Sequence, residues 1–195
     1  MKNQPRLFML LIGCKPPGRH TEQHDVFFTI ADYFSETEED VKTFWPEASK
    51  IHIDAWREVT NVDGYRISVI QKESARVNGD NLKLFFINLG GYKKGQFEEF
   101  HYKVLIVAES LSEANRKAKE STFCLHPPGL SKDSLPHIDD KYGIDVDDVC
   151  EVKDILPAYL KEQYVLQISE IIFEEAEQGE DGMNLGYQRY EKMKK

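Results

Sequence analysis

Residues 7–36 read LFMLLIGCKPPGRHTEQHDVFFTIADYFSE, and residues 84–113 read LFFINLGGYKKGQFEEFHYKVLIVAESLSE. The two segments align without a gap at an offset of 77, and nine of their thirty positions are identical. The identities include two glycines, a Glu-x-His pair and a Ser-Glu pair. Self-similarity at a fixed spacing indicates a structural unit that the chain repeats.

The opening run RLFMLLIGC, residues 6–14, also resembles a lipoprotein export signal that ends in a cysteine. An export signal has no reason to recur in mid-chain, yet LFMLLIG returns as LFFINLG at residues 84–90. We therefore interpret both runs as the first, buried strand of a unit, and we expect residues 7–13 to belong to the mature fold.

Each copy is predicted to run strand, strand, helix, strand, strand. The predicted fold class is α+β: two tandem ββαββ repeats with mostly antiparallel sheets, related by a pseudo-twofold axis. Ser35 with Glu38 predicts a capped start for the first helix, and Ser112 predicts the start of the second. The predicted divisions are a first repeat at 1–76, a second repeat with an insertion at 77–172, and a charged C-terminal appendage at 173–195.

The composition limits the classes of partner. The chain has 34 acidic and 25 basic residues, a formal net charge of −9. This balance argues against nucleic acid and against an anionic membrane surface as partners, and no apolar run is long enough to span a bilayer. The three cysteines form no C-x-x-C pair. Reduced thiols are typical of the cytoplasm, so we predict a cytoplasmic protein.

The first copy resembles a bacterial family known as domain of unknown function 1543. The resemblance rests on LFM followed by a glycine, on PG in the loop, and on the motifs E-x-H-D-V-x-F, H-x-D and V-D-G-Y. These motifs occupy positions 7–9, 13, 17–18, 22–28, 52–54 and 62–65. The second copy has a thinner version without H-D-V or V-D-G-Y, so the resemblance implies two tandem copies. It implies no activity and no ligand residues.

Two kinds of polar pair occur once in each copy. They are Glu22 with His24, Glu99 with His101, His52 with Asp54, and His137 with Asp139. Residues i and i+2 of a strand face the same side, so each carboxylate is expected beside its imidazole. Imidazole and carboxylate together can hold Zn²⁺, Mn²⁺ or Fe²⁺. Two hypotheses stay open: a divalent-metal site, within one copy or across both, and hydrogen-bonded pairs that brace the sheet. We expect the bracing role.

Basic side chains in two glycine-flanked loops are candidates for binding an anion. They are Lys15 and Arg19 in the first copy, and Lys93 and Lys94 in the second. A phosphate loop is not predicted, because the two prolines of the first loop have no amide hydrogen to donate.

No activated nucleophile or cofactor fingerprint stands out in the sequence, which therefore favours a non-catalytic binding or interaction module. Its partner is expected to be a protein or a small ligand, and a homodimer is compatible with the sequence. No cofactor is expected under this hypothesis. The alternative function is a metal-dependent enzyme that uses the repeated Glu-x-His and His-x-Asp pairs.

Overall fold

The structure is a computed structural model that describes residues 4–48, 50–75, 81–92, 95–125, 145–171 and 181–190. These residues form ten strands and four α-helices. In chain order they are β1 (Arg6–Cys14), β2 (Gln23–Ala31), α1 (Glu38–Phe44), β3 (His52–Glu58), β4 (Asn61–Val62), β5 (Tyr65–Gln71), β6 (Lys83–Tyr92), β7 (Glu99–Ala108), α2 (Leu111–Leu125), β8 (Asp145–Glu151), α3 (Val152–Ile155), α4 (Ala158–Gln163), β9 (Tyr164–Glu170) and β10 (Asn184–Gln188). All the described strand pairs are antiparallel, and the predicted α+β class is confirmed.

Contacts divide the chain into two compact units, residues 1–77 with 155–195, and residues 78–154. The first unit contains the sheets β10-β3-β1-β2 and β4-β5-β9, and the second contains β7-β6-β8. The strand predicted to end the second repeat is β9, which pairs along its length with β5 of the first unit. Contacts therefore group β9 with the first unit, although the sequence assigned it to the second repeat. The repeat and its twofold axis stay predictions.

The leading hairpins of the two units pair in equivalent register. Gly13 of β1 lies opposite His24 of β2, and Gly90 of β6 lies opposite His101 of β7. A third strand pairs with the other side of the central strand in each unit, β3 with β1 and β8 with β6. Gly13 and Gly90 therefore occupy equivalent places: each lies near the end of a strand that has a paired strand on both sides.

The core of the first unit fixes which face of the sheet Gly13 of β1 occupies. Phe8, Leu10 and Ile12 are fully buried and form a cluster with Val41 of α1 and Ile53 of β3. Successive side chains of a strand point to opposite faces. Gly13, which follows Ile12, therefore lies on the face of the sheet away from that cluster, together with its neighbours across the strands.

The second unit packs a helix on its sheet. Ala114 and Ala118 of α2 are buried against Ile87 and Leu89 of β6, where the small alanines allow close approach. None of the described helices has the length and apolar character needed to cross a bilayer.

The cap of the second helix is Ser110, two residues before the predicted cap at Ser112. The first residue of the helix is Leu111, and Ser110 Oγ accepts a hydrogen bond from the amide of Glu113 at 3.3 Å. The Glu113 carboxylate accepts in turn from the amide of Glu109 at 3.1 Å. Ser110 thus caps the helix, and Glu113 satisfies the amide just before the cap instead of the amide of Ser110 itself. The predicted cap at Ser112 is therefore wrong.

The first helix also departs from its predicted cap. A 3₁₀ turn, Phe34–Thr37, precedes α1, and the side chain that accepts from the entering backbone is Glu36. Its Oε2 accepts from the amides of Asp32 and Tyr33 at 3.1 and 3.2 Å. The predicted capping box between Ser35 and Glu38 is wrong, because Ser35 lies inside the 3₁₀ turn and α1 begins only at Glu38, with Thr37 at its N-cap.

The end of the described chain is part of the first sheet. Strand β10 pairs with β3, and Tyr190 is buried in the same core cluster as Phe8. The Tyr190 hydroxyl lies 2.7 Å from Thr37 Oγ1. These residues differ from the solvated appendage predicted for 173–195, because β10 pairs with β3 and the Tyr190 side chain is buried in the core.

Candidate metal centre

The first cluster of polar residues surrounds Gly13. This glycine pairs with His24 on one side and with His52 on the other. A Cβ atom at Gly13 would lie 2.5 Å from His52 Nε2 and 2.9 Å from Asp54 Oδ2. Both distances are far shorter than a van der Waals contact, so the missing side chain is what leaves room for the flanking groups to converge.

A β-bulge brings Asp54 into the cluster. Ile12 pairs with Ile53 and Leu11 pairs with Ala55, which leaves Asp54 without an opposite residue. A bulge of this kind bends the strand and redirects a side chain, and bulges are frequent beside functional sites. The carboxylate of Asp54 consequently lies above Gly13 between the two imidazoles.

The donor atoms of the cluster meet at spacings that suit a metal ion. His24 Nε2 and His52 Nε2 lie 3.2 and 3.3 Å from Asp54 Oδ2. Glu22 Oε1 lies 3.3 Å from His52 Nε2, and Glu22 Oε2 lies 3.7 Å from His24 Nε2. Ligands about 2.0–2.2 Å from a tetrahedral zinc ion are about 3.3–3.6 Å from one another. Four of the six separations between these donors are therefore close to that range, and the donors of Glu22, His24 and His52 all lie within 4.8 Å of one another.

Hydrogen bonding does not account for these short separations. Asp54 Oδ2 is buried and has no hydrogen-bond partner in the described part of the chain, although two imidazole nitrogens lie within 3.3 Å of it. A buried carboxylate oxygen without a partner is costly. A cation at the shared point, the space above Gly13 between His24 Nε2, His52 Nε2 and Asp54 Oδ2, would compensate this cost.

The cluster is buried at His52 and open to solvent at His24 and Glu22. The side chain of His52 is 4% exposed and that of Asp54 is 28% exposed, whereas those of His24 and Glu22 are 41% and 46% exposed. Among the described residues, no lysine or arginine forms an ion pair with either carboxylate. The negative charge of the cluster is therefore not neutralised by a basic side chain, and an ion can reach it from the Glu22 side.

The second unit has a related cluster around Gly90. A Cβ atom at Gly90 would lie 2.1 Å from Asp147 Oδ2. Glu99 and His101 stand at the same offset of 77 from Glu22 and His24. The ligand atoms of Glu99, His101 and Asp147 all lie within 4.8 Å of one another.

Asp147 is also a bulge residue. Leu89 pairs with Val146 and Asn88 pairs with Asp148, so Asp147 has no opposite residue. Its position in β8 corresponds to that of Asp54 in β3.

The second cluster differs from the first in how its imidazole is used. Asp147 Oδ2 lies 3.3 Å from Nδ1 of His101, whereas Glu99 Oε2 lies 3.7 Å from Nε2 on the far side of the ring. Asn88 Nδ2 lies 3.1 Å from the same Nδ1. In the first cluster both carboxylates approach the same nitrogen, Nε2, of each histidine, whereas here they approach opposite nitrogens of one ring. This geometry fits bracing of the sheet.

The sequence placed the second His-x-Asp pair at His137 and Asp139, which lie outside the described residues. The strand register instead puts Asp145 opposite Gly90, where the first unit has His52 opposite Gly13. The third strands are thus 93 positions apart, against 77 for the hairpins and 85 for the sequence match. Asp147 was missed because the sequence match of His-Ile-Asp points to residues 137–139 instead of to β8.

The structure does not gather the proposed anion-binding residues into a site. Lys15 and Arg19 are exposed in the β1–β2 loop, and no described hydrogen bond or ion pair involves their side chains. Lys93 and Lys94 lie outside the described residues. Binding of an anion at these loops stays a prediction.

Cys14 does not belong to the cluster, although it follows Gly13. Its side chain is buried, and burial, followed by the nearby negative charge of Glu22, raises the pKa of its thiol. A thiol with a raised pKa is mostly protonated at neutral pH, so Cys14 is neither a ready nucleophile nor a thiolate ligand.

Together the fold and the first cluster define a candidate divalent-metal site on an antiparallel sheet of an α+β protein. Residues 19–69 match the model of the family described as Domain of Unknown Function (DUF1543). The predicted resemblance to this family is thus confirmed over residues 19–69, a segment that includes Glu22, His24, His52 and Asp54. The second copy stays a prediction.

One solved structure has a similar fold over almost the whole chain. It is a crystal structure of a protein Il1583 from Idiomarina loihiensis, which is 22% identical in sequence. The similarity covers 94% of this chain and 96% of that chain, with a TM-score of 0.61. At this identity the likeness establishes the fold alone. The comparison with curated proteins gave no match.

Proposed function

We propose that the protein is a metal-binding module that takes one divalent transition-metal ion at the first cluster. The observation that carries this proposal is the approach of His24 Nε2 and His52 Nε2 to one buried, unpartnered oxygen of Asp54. Glu22 supplies a fourth donor from the open side. The second cluster serves as a brace, so one ion per chain is expected.

The donor set selects the class of metal. Two imidazoles with two carboxylates suit zinc, manganese or iron(II), whereas magnesium and calcium favour sites made of oxygen alone. The donor spacings match tetrahedral zinc, so zinc is the appropriate probe. A binding module requires a protein partner or a small ligand, and either can reach an ion in this cluster from the open side beside Glu22.

A cytoplasmic setting accompanies this proposal. Cys14 and Cys150 are free thiols, which is usual in a reducing compartment. Zinc bound through nitrogen and oxygen donors does not need either thiol.

A metal-dependent enzyme is the second candidate function. The exposure of Glu22 and His24 favours it, because an ion there could hold a water molecule or a substrate in an open position. Against it, neither of the two described cavities of the first unit is lined by any of the four cluster residues. Zinc-dependent hydrolysis of an activated ester, lost in His24→Gln, would favour the enzyme.

Zinc should stabilise the folded protein. With tag-free protein and free zinc at about 100 times its Kd, mass action adds about 2.7 kcal/mol, which corresponds to a rise in melting temperature of about 5–10 °C. A chelator should reverse the rise. Thermal denaturation of the wild type, of His24→Gln and of the matched variant His101→Gln measures this.

The shift should vanish in His24→Gln and persist in His101→Gln, because only the first histidine is proposed as a ligand. If neither zinc nor chelator changes the melting temperature of the wild type, the metal site is excluded.

A further inference from the structure

Strand β10 has an irregular register where it passes the proposed metal site. Leu185 pairs with Ala55 and Gln188 pairs with Ile53. Two residues of β10, Gly186 and Tyr187, therefore lie opposite one residue of β3, the bulge residue Asp54. Gly186 has φ +118, a conformation that side chains rarely adopt. This local departure from the ladder redirects the side chain of Tyr187.

The redirected ring covers His52. The rings of Tyr187 and His52 are stacked, with centroids 4.4 Å apart and an interplanar angle of 23°. His52 is 3% exposed, whereas Tyr187 is 59% exposed. Tyr187 thus lies on the solvent side of the imidazole and limits the tilt of its ring.

Contacts of Gln188 and Tyr190, which follow Tyr187 in the chain, hold this segment in place. Gln188 Oε1 accepts a hydrogen bond from Trp56 Nε1 at 3.2 Å. The hydroxyl of Tyr190 lies 2.7 Å from Thr37 Oγ1 in a buried position. The tyrosine is therefore presented by an anchored backbone. Its exposed hydroxyl accepts hydrogen bonds from Nη2 and Nε of Arg189 at 2.7 and 3.0 Å.

We propose that Tyr187 is a positioning residue of the metal site, which holds the His52 ring so that Nε2 points to the shared point above Gly13. This inference rests on the proposed function, because it concerns the same ion. Outer residues that orient a ligand typically change metal affinity by about 10–100-fold. The ring face is what matters here, so phenylalanine should replace tyrosine and alanine should not.

The test is a Co²⁺ titration of the full chain, followed by the visible absorption of the bound ion, which reports its coordination geometry. Tyr187→Ala should bind Co²⁺ about tenfold more weakly and with an altered spectrum. Tyr187→Phe should restore both properties. The matched control is Leu185→Ala, which removes another exposed side chain of β10 that faces Ala55 instead of His52.

Each outcome decides one claim. Affinity and spectrum lost in Tyr187→Ala, with Leu185→Ala and Tyr187→Phe like the wild type, support the positioning role. Wild-type binding in Tyr187→Ala, or an equal loss in Leu185→Ala, would overturn it while leaving the metal site intact. A wild-type protein that does not bind Co²⁺ or zinc would overturn the proposed function, and the positioning role with it.

Discussion

Gly13→Ala should weaken zinc binding by about 100-fold or more, whereas Gly90→Ala should leave it unchanged. An alanine Cβ at position 13 would lie 2.5 Å from His52 Nε2 and 2.9 Å from Asp54 Oδ2. Both ligand groups would have to move apart, and their convergence on one point would be lost. Isothermal titration calorimetry with zinc measures the change directly.

Gly90→Ala is a matched control, because it places the same methyl group at the corresponding position of the second sheet. Its Cβ would lie 2.1 Å from Asp147 Oδ2. Overpacking of this kind costs about 1–3 kcal/mol, so both variants should be destabilised to a similar degree. Equal zinc affinity in the two variants, whether retained or lost, would contradict the assignment of the ion to the first cluster.

Asp54→Asn should have opposite effects on binding and on stability. Zinc affinity should fall by about 100-fold, because an amide is a poor zinc ligand. The metal-free protein should become more stable by about 1 kcal/mol, because a charged oxygen that is buried without a partner is replaced by a neutral group. Chemical denaturation without metal and zinc titration measure the two effects.

The sign of the stability change separates the two roles considered for this residue. If Asp54 braced His24 and His52 through hydrogen bonds, its replacement would destabilise the metal-free protein. Asp147→Asn, at the corresponding bulge of β8, should leave zinc binding at its wild-type level. A less stable metal-free Asp54→Asn would support bracing and oppose the metal site.

Much of the first unit could be predicted from the sequence. The apolar run of residues 7–12 is a local sign of a buried strand, and it forms most of β1. Glu22 and His24 also lie close together, with Glu22 Oε2 3.7 Å from His24 Nε2. The pair of His52 with Asp54 was also identified. No local sequence pattern indicates whether the pair Glu22–His24 lies beside the pair His52–Asp54. Their approach depends on the register between β1 and β3, which only the folded sheet fixes.

The two β-bulges could not be predicted, because the sequence-based prediction assumed that side chains alternate strictly along each strand. A reading with period two puts His52 and Asp54 side by side, but the register places Asp54 between paired residues and redirects it over Gly13. The identity of Gly13 and Gly90 at an offset of 77 was a usable signal, since a central-strand glycine marks the close approach of other groups.

The cap of the second helix and the role of β10 were misread for different reasons. Ser110 with Glu113 has the spacing of a capping box, so the sequence contained the correct signal beside the one chosen. The acidic and basic residues near the C-terminus concealed the short run Asn-Leu-Gly-Tyr-Gln that becomes β10. Its pairing with β3 joins residues more than 120 positions apart, which no local pattern reports.

The most direct test of the metal site is the position of the ion itself. Crystals of tag-free protein grown with zinc should be measured on both sides of the zinc absorption edge, so that an anomalous difference peak identifies the metal. The peak should lie above Gly13, about 2.0–2.2 Å from His24 Nε2, from His52 Nε2 and from an oxygen of Asp54. A first cluster without a peak in protein that is otherwise well ordered, or a peak only between Glu99, His101 and Asp147, would contradict the account.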